Sequence, residues 1–155
     1  MGAEPGLTLR PLAAADAEAY GEAASEEPGE PAALSAARAP FDAAAEIAAW
    51  ETSPGKDAFA VEEAGRLVAV VSLQRSGPGE AEAAYWVRRS ERGRGLATTA
   101  LRLLAARAFG DLGLERLWLE IYPDNPASFR VAEKCGFVHE GVRESDGMAI
   151  YGLVT

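Results

Sequence analysis

The stretch from Tyr85 to Thr98 constrains this chain more than any other. Apolar Tyr85-Trp86-Val87 runs into the basic turn Arg88-Arg89-Ser90-Glu91-Arg92, through Gly93-Arg94-Gly95, and directly into a helical pattern. Leu101, Leu104, Ala105 and Ala108 recur at the i, i+3, i+4, i+7 spacing of one helix face. The first N–H groups of such a helix lack internal partners and sit at the positive end of its dipole. Gly93 and Gly95 let the main chain approach a ligand closely. The turn is therefore either an anion site or a solvated loop before an ordinary helix. Arg88, Arg89, Arg92 and Arg94 add positive charge against the single Glu91. We read the turn as a pyrophosphate holder. It is not a Walker P-loop, since the Gly-Lys-Ser/Thr ending is missing, and it lacks the G-x-G-x-x-G of a dinucleotide fold.

That basic cluster stands out because the chain as a whole is acidic. Fifteen basic side chains face 24 acidic ones, a formal net charge of -9. Nucleic-acid binding usually leaves a basic footprint, so it is not expected here. An acidic surface instead suits a cationic partner or simply aids solubility. At 155 residues and 48% hydrophobic content the chain is sized for one domain spanning 1–155, with a core that needs no disulfide. Cys135 is the only cysteine and His139 the only histidine, so no metal site is expected. No membrane span or signal peptide is read, and a cytoplasmic bacterial protein is the expectation, monomeric or homodimeric.

Taken in order, Leu7–Arg10 alternates as a short strand ended by Pro11. A helix follows from Ala14 to about Ala24, then a Pro- and Glu-rich loop from Ser25 to Pro40, read either as a connector or as a substrate gate. Phe41 to Trp50 is helical again. Ala58–Glu62 and Leu67–Leu73 form strands joined at Ala64-Gly65, and Glu80–Val87 adds a third strand to that meander. The basic turn and its helix come next, ending near Gly110. Leu117–Ile121 is a strand. Asn125-Pro126 starts a helix that runs to Cys135 and is closed by Gly136. Val138–Arg143 and Met148–Val154 make a closing hairpin. The expected fold is mixed α/β (α+β), about seven strands in one sheet with the order β-α-α-β-β-β-α-β-α-β-β.

Several segments together resemble the GCN5-related N-acetyltransferase superfamily, in particular its ribosomal-protein N-terminal acetyltransferase group. Arg92-Gly93-Arg94-Gly95-Leu96-Ala97 fits the superfamily's [Gln/Arg]-x-x-Gly-x-[Gly/Ala] motif. Glu82-Ala83-Ala84-Tyr85-Trp86-Val87 resembles the group's Glu-x-Gly-Tyr-Trp-Val strand. Asn125-Pro126-Ala127-Ser128 and Glu133-Lys134-Cys135-Gly136-Phe137 resemble its Asn-x-x-Ser and Glu-Lys-x-Gly-Phe segments.

The resemblance implies acetyl-CoA as co-substrate, no metal, and transfer to an amine: a protein N-terminus, a polyamine, an amino sugar or an antibiotic. It implies that the strand at Tyr85, Trp86 and Val87 splays from its neighbour and pairs with pantetheine. The amides of Arg92, Gly93, Arg94, Gly95, Leu96, Ala97 and Thr98 would grip the pyrophosphate. Asn125 would hold the pantetheine arm, with Ser128 near the sulfur.

The chemistry needs a neutral amine and a supported leaving group. An α-amine with a pKa of about 7.7–8.0 is roughly a tenth neutral at pH 7, whereas a lysine at about 10.4 is thousands-fold worse. One carboxylate acting through water suffices for an α-amine, with Glu82 the first candidate and Glu120 the second. Many superfamily members place a proton-donating tyrosine four residues before the glycine of Gly136-Phe137. Here that residue is Ala132, so Ser128 would serve instead, unless it is merely a helix-face hydroxyl bonded to its own backbone. Cys135 reads as a small buried hydrophobe, and His139 as packing or surface. A non-catalytic acyl-CoA-binding or sensor module on the same fold is the alternative, followed by an unrelated small-anion domain.

Overall fold

A computed structural model describes residues 6–26 and 42–155. The gating or connecting role considered for 25–40 falls almost wholly outside those residues, as does the expected helix start at Phe41. The elements are β1 (Leu7–Pro11), α1 (Ala17–Ser25), α2 (Ala43–Thr52), β2 (Lys56–Glu63), β3 (Arg66–Gly77), β4 (Glu80–Val87), α3 (Leu96–Gly110), β5 (Arg116–Ile121), α4 (Pro126–Lys134), β6 (Val138–Val142) and β7 (Ala149–Val154). Short 3-10 turns at Ala14–Asp16 and Arg89–Glu91 precede α1 and α3. The order and the seven-stranded sheet agree with the sequence reading.

The sheet runs β1-β2-β3-β4-β5-β7-β6. From β1 to β4 every pairing is antiparallel, and the β2–β3 hairpin turns on Ala64 (φ 52°) and Gly65 (φ 78°). Positive φ at both turn residues matches the right-handed strand twist of a type I′ turn. Helices cover the sheet on both faces. Tyr20, Ala23 and Ile47 of α1 and α2 pack with Ala60, Leu67, Val70 and Trp86. On the other face Leu96, Ala100, Leu101, Leu104 and Ala108 of α3 pack with Val61, Val71, Leu73, Ala83 and Leu119. Strand β3 is central and covered on both sides, so Leu67 to Leu73 are all buried and its sequence is a continuous apolar run instead of an alternating one.

One pairing departs from the rest. Strands β4 and β5 are parallel, and they touch only through Glu80↔Arg116, Ala81↔Leu117 and Glu82↔Trp118. Beyond Glu82 the strands part, β4 staying with β3 as far as Val87 and β5 with β7 as far as Ile121. The outer edge of β4 from Ala83 to Val87 is thus left without a strand partner among the described residues.

Candidate active site

The parted strands open into a cavity of about 540 Å³. Strand β4 lines one side with Tyr85, Trp86 and Val87. The glycine turn and the start of α3 line the second with Arg92, Gly93, Gly95, Leu96, Ala97 and Thr98. One face of α4 lines the third along its whole length, from Asn125 to Lys134. Every residue expected from the sequence to contact the cofactor, except Arg94, therefore lines one cleft.

The turn is built as an anion holder. Gly93 and Gly95 have φ of 82° and 78°, a left-handed conformation costly to any residue with a Cβ. Gly95 is the N-cap of α3, and no side chain caps that helix. Helix α2 is capped by Asp42 on Ala45 N at 3.1 Å, and α4 by Asn125 Oδ1 on Ser128 N at 3.2 Å. The uncapped amides of α3 open on the cleft instead, where an anion can meet them and the dipole favours it. A Cβ built on either glycine would meet nothing within 4 Å, so the space beside the turn is clear. These residues fit a diphosphate.

The arginines are distributed differently from the sequence expectation. Arg88 turns away to Glu26, Nε to Oε2 at 2.6 Å, and the same carboxylate accepts from Ser90 N at 3.0 Å. Arg94 forks onto Glu63 at 2.9 and 3.1 Å and also reaches Glu91. Its guanidinium is thus spent on two carboxylates and adds no free charge to the cleft, leaving only the main-chain role expected of Arg94. The reason is that β2 and the end of α1 bring carboxylates beside the turn that are remote in sequence. Arg92 lines the cleft and donates to Val87 O at 3.0 Å, which ties the turn to the end of β4.

Missing from the sequence reading were Arg130 and Lys134 of α4, both exposed on the cleft. Neither makes an ion pair among the described residues, so they are uncommitted cations there. The signal was available: Ala127, Val131 and Lys134 fall at the spacing of one helical face, the face of α4 that must look at the glycine turn.

The two candidate carboxylates are unlike each other. Glu120 accepts from Arg143 Nη2 at 2.7 Å, and Arg143 also grips Asp146 in the β6–β7 turn. Glu82 is half-buried, at the fork itself, and its carboxylate has no hydrogen bond or ion pair among the described residues. Burial pushes its pKa up, Glu120 adds to this, and Arg143 opposes it. Side chains alternate along β4, so Glu82 shares a face with Trp86 while Tyr85 faces α3 and α4. On that second face the Tyr85 hydroxyl donates to Ser128 Oγ at 2.9 Å. Ser128 Oγ makes no bond to its own backbone among the described residues, which removes the plain helix-hydroxyl reading.

Ala132, Cys135 and His139 do not line the cleft. Ala132 is fully buried. Cys135 is half-buried, its Sγ lies 3.4 Å from Thr98 O, and burial pushes its thiol pKa up. His139 stands edge-on to the Tyr151 ring at 5.2 Å. Trp50 is buried with Nε1 on Glu46 at 3.2 Å, and Trp118 donates to Ser76 at 2.9 Å. No described helix is long and apolar enough to cross a membrane.

Residues 6–138 match the family model described as acetyltransferase (GNAT) domain. The chain belongs to the GNAT acetyltransferase family. Among curated relatives it is similar to "Probable N-acetyltransferase YjcK" of Bacillus subtilis, 38% identical over 80 residues, which is 50% of this chain and 44% of that protein. The matched part thus spans less than half the length of this curated relative. In fold it resembles RimL, a ribosomal alpha-N-protein acetyltransferase solved in complex with coenzyme A, with a TM-score of 0.84 at 16% identity over 98% of this chain and 96% of that one. It also resembles the dodecameric spermidine N-acetyltransferase of Vibrio cholerae, with a TM-score of 0.75 at 20% identity over 97% and 95%.

Proposed function

We propose that this GNAT domain, taken as one unit over 1–155, moves an acetyl group from acetyl-CoA to a primary amine by direct transfer in a ternary complex. The observation that carries the reading is the continuity of two features in one cleft. The partnerless edge of β4 leads without a break to the uncapped amides of α3. An extended arm can hydrogen-bond along the first while its diphosphate sits on the second.

When bound, acetyl-CoA supplies the acetyl group as a reactive thioester. The protein's part is to place it and to manage charge. Main-chain amides from Arg92 to Thr98 hold the diphosphate, with Arg130 and Lys134 adding positive charge along the same wall. Asn125 and the edge of β4 at Tyr85, Trp86 and Val87 orient the arm. A free N–H on that edge is suited to an oxyanion, since it is already held in place by the sheet. Glu82 accepts the proton of the amine, directly or through one water; it is the bare carboxylate, whereas Glu120 is neutralised by Arg143. A base raised toward neutral pH is better matched to that task than an ordinary carboxylate. Ser128 supports the departing thiolate, a far weaker base than an alkoxide or amide and so in need of little help.

An α-amine is the acceptor class that one such base serves best, and RimL, named for that chemistry, shares the fold. The buried Ala132 favours a second reading, an acyl-CoA-binding module without turnover. One experiment separates them. Acetyl-CoA at about 100 times its dissociation constant is expected to stabilise the chain by about 2.7 kcal/mol in a thermal-shift assay. A panel of peptide, polyamine and amino-sugar amines should then raise free-thiol release above hydrolysis. Binding without any amine-dependent release would leave only the module.

A further inference from the structure

Within the cleft one polar contact joins β4 to α4: the Tyr85 hydroxyl on Ser128 Oγ at 2.9 Å. A serine hydroxyl has a single hydrogen and accepts through its oxygen, so whichever group donates to it decides where that hydrogen is free to go. Of the two hydroxyls the phenol is the more acidic and the stronger donor. Burial raises the Tyr85 pKa further, outweighing the opposing effect of Ser128, which favours the protonated, donating phenol. The Ser128 amide is committed to Asn125 Oδ1 at 3.2 Å, which fixes the residue at the first turn of α4. Its oxygen is committed to Tyr85. What remains is the serine hydrogen, with no backbone acceptor among the described residues and with the cleft in front of it.

We propose that Tyr85 is the positioning residue for Ser128: by donating to Oγ it turns the serine hydrogen into the cleft, toward the sulfur of bound CoA. The proposal rests on the transferase reading and names a residue that it did not employ through its side chain. No proton leaves the Tyr85–Ser128 pair. As the C–N bond forms and the C–S bond breaks, the electron pair goes to sulfur, and Ser128 meets that thiolate as a hydrogen-bond donor. The amine proton goes to Glu82, and sulfur takes a proton from solvent on release. The tyrosine absent at Ala132 of α4 is thus offset by one reaching over from β4.

The test uses the full chain, coenzyme A, and the variants Tyr85→Phe, Ser128→Ala and the pair together. The thiol pKa of bound CoA is read from thiolate absorbance over about pH 6 to 10. In the wild type it should lie below that of free coenzyme A titrated in the same buffer. Both single variants should raise it by similar amounts, and the double variant no further. In steady state, Tyr85→Phe should lower kcat about tenfold while acetyl-CoA affinity stays within about twofold, again without adding to Ser128→Ala. A bound thiol pKa unmoved by Tyr85→Phe, or effects that add independently, would overturn the proposal. Should Tyr85→Phe fail to fold, an unmoved thiol in Ser128→Ala overturns it equally. A tyrosine-dependent thiol in a chain that acetylates no amine would support the positioning role and sink the transferase reading.

Discussion

Glu82 of β4 stands in register with Trp118 of β5, and the pairing of these two strands ends there. The carboxylate therefore occupies the point at which the sheet opens, half-desolvated, beside Glu120 and within the field of Arg143. Its raised pKa has a definite sign for stability. A carboxyl raised in the folded state binds its proton more tightly there than in the unfolded chain. It stabilises the fold below the unfolded value, and that contribution is lost as pH rises through the folded value.

Glu82→Gln is accordingly expected to cut kcat/KM about 10²- to 10³-fold and to abolish its acid limb. At pH 7 its Tm should equal or exceed that of the wild type, because a desolvated charge has been removed. The two melting curves should converge as the pH is lowered through the raised pKa. A large loss of Tm at pH 7 with an intact acid limb would show that Glu82 serves the fold and not the amine.

Gly95 tests the turn. Gly95→Ala forces a Cβ into a left-handed position, at a cost of about 1–2 kcal/mol. Gly95→Glu adds a negative charge to amides that await a diphosphate. Calorimetry should find CoA binding weakened in the first and lost in the second, with the far-UV spectrum of both unchanged.

The arginines allow a comparison that the sequence alone would get wrong. Arg130→Ala and Lys134→Ala should each weaken CoA binding by about 0.2–1 kcal/mol, an effect that fades at high salt. Arg94→Ala should leave CoA affinity nearly unchanged, since its guanidinium is held by Glu63 and Glu91. A CoA affinity as sensitive to Arg94 as to Lys134 would place that side chain in the cleft after all.

Glu26 anchors the other side of the turn. Desolvation alone would raise its pKa, but Ser90 N–H and Arg88 outweigh this and hold it at about 2 against an ordinary 4.5. A depressed carboxylate contributes stability above its unfolded pKa and loses it as the pH falls through the folded one. Glu26→Gln should therefore lower Tm at pH 7, and the gap to the wild type should close between pH 4.5 and about 2. A gap independent of pH would mean that packing, and not this ion pair, is responsible.

Much of the site is legible in the amino-acid order. The stop-and-start chemistry of Gly95, Asn125-Pro126 and Gly136 acts between near neighbours in the chain, where capping, a fixed φ or a missing Cβ decides the outcome. The glycine turn and the strand leading into it follow from that local grammar together with the family likeness. Tyr85, Trp86, Val87, Arg92, Gly93 and Gly95 do line one cleft. Arg130 and Lys134 escape such a reading because their pattern on α4 means nothing until one knows which face looks inward.

By itself, then, the sequence determined the succession of elements, the left-handed turn and the helix starts, all set by contacts within a few residues. Only the tertiary structure decided which charges are free. Arg94 meets Glu63 across 31 positions, Arg88 meets Glu26 across 62, and Tyr85 meets Ser128 across 43. Such pairs depend on strand register and on which helix covers which face, and no short-range rule encodes either. The physical reason is that a side chain's charge is useful to a ligand only if the fold has not already committed its hydrogen-bonding capacity elsewhere.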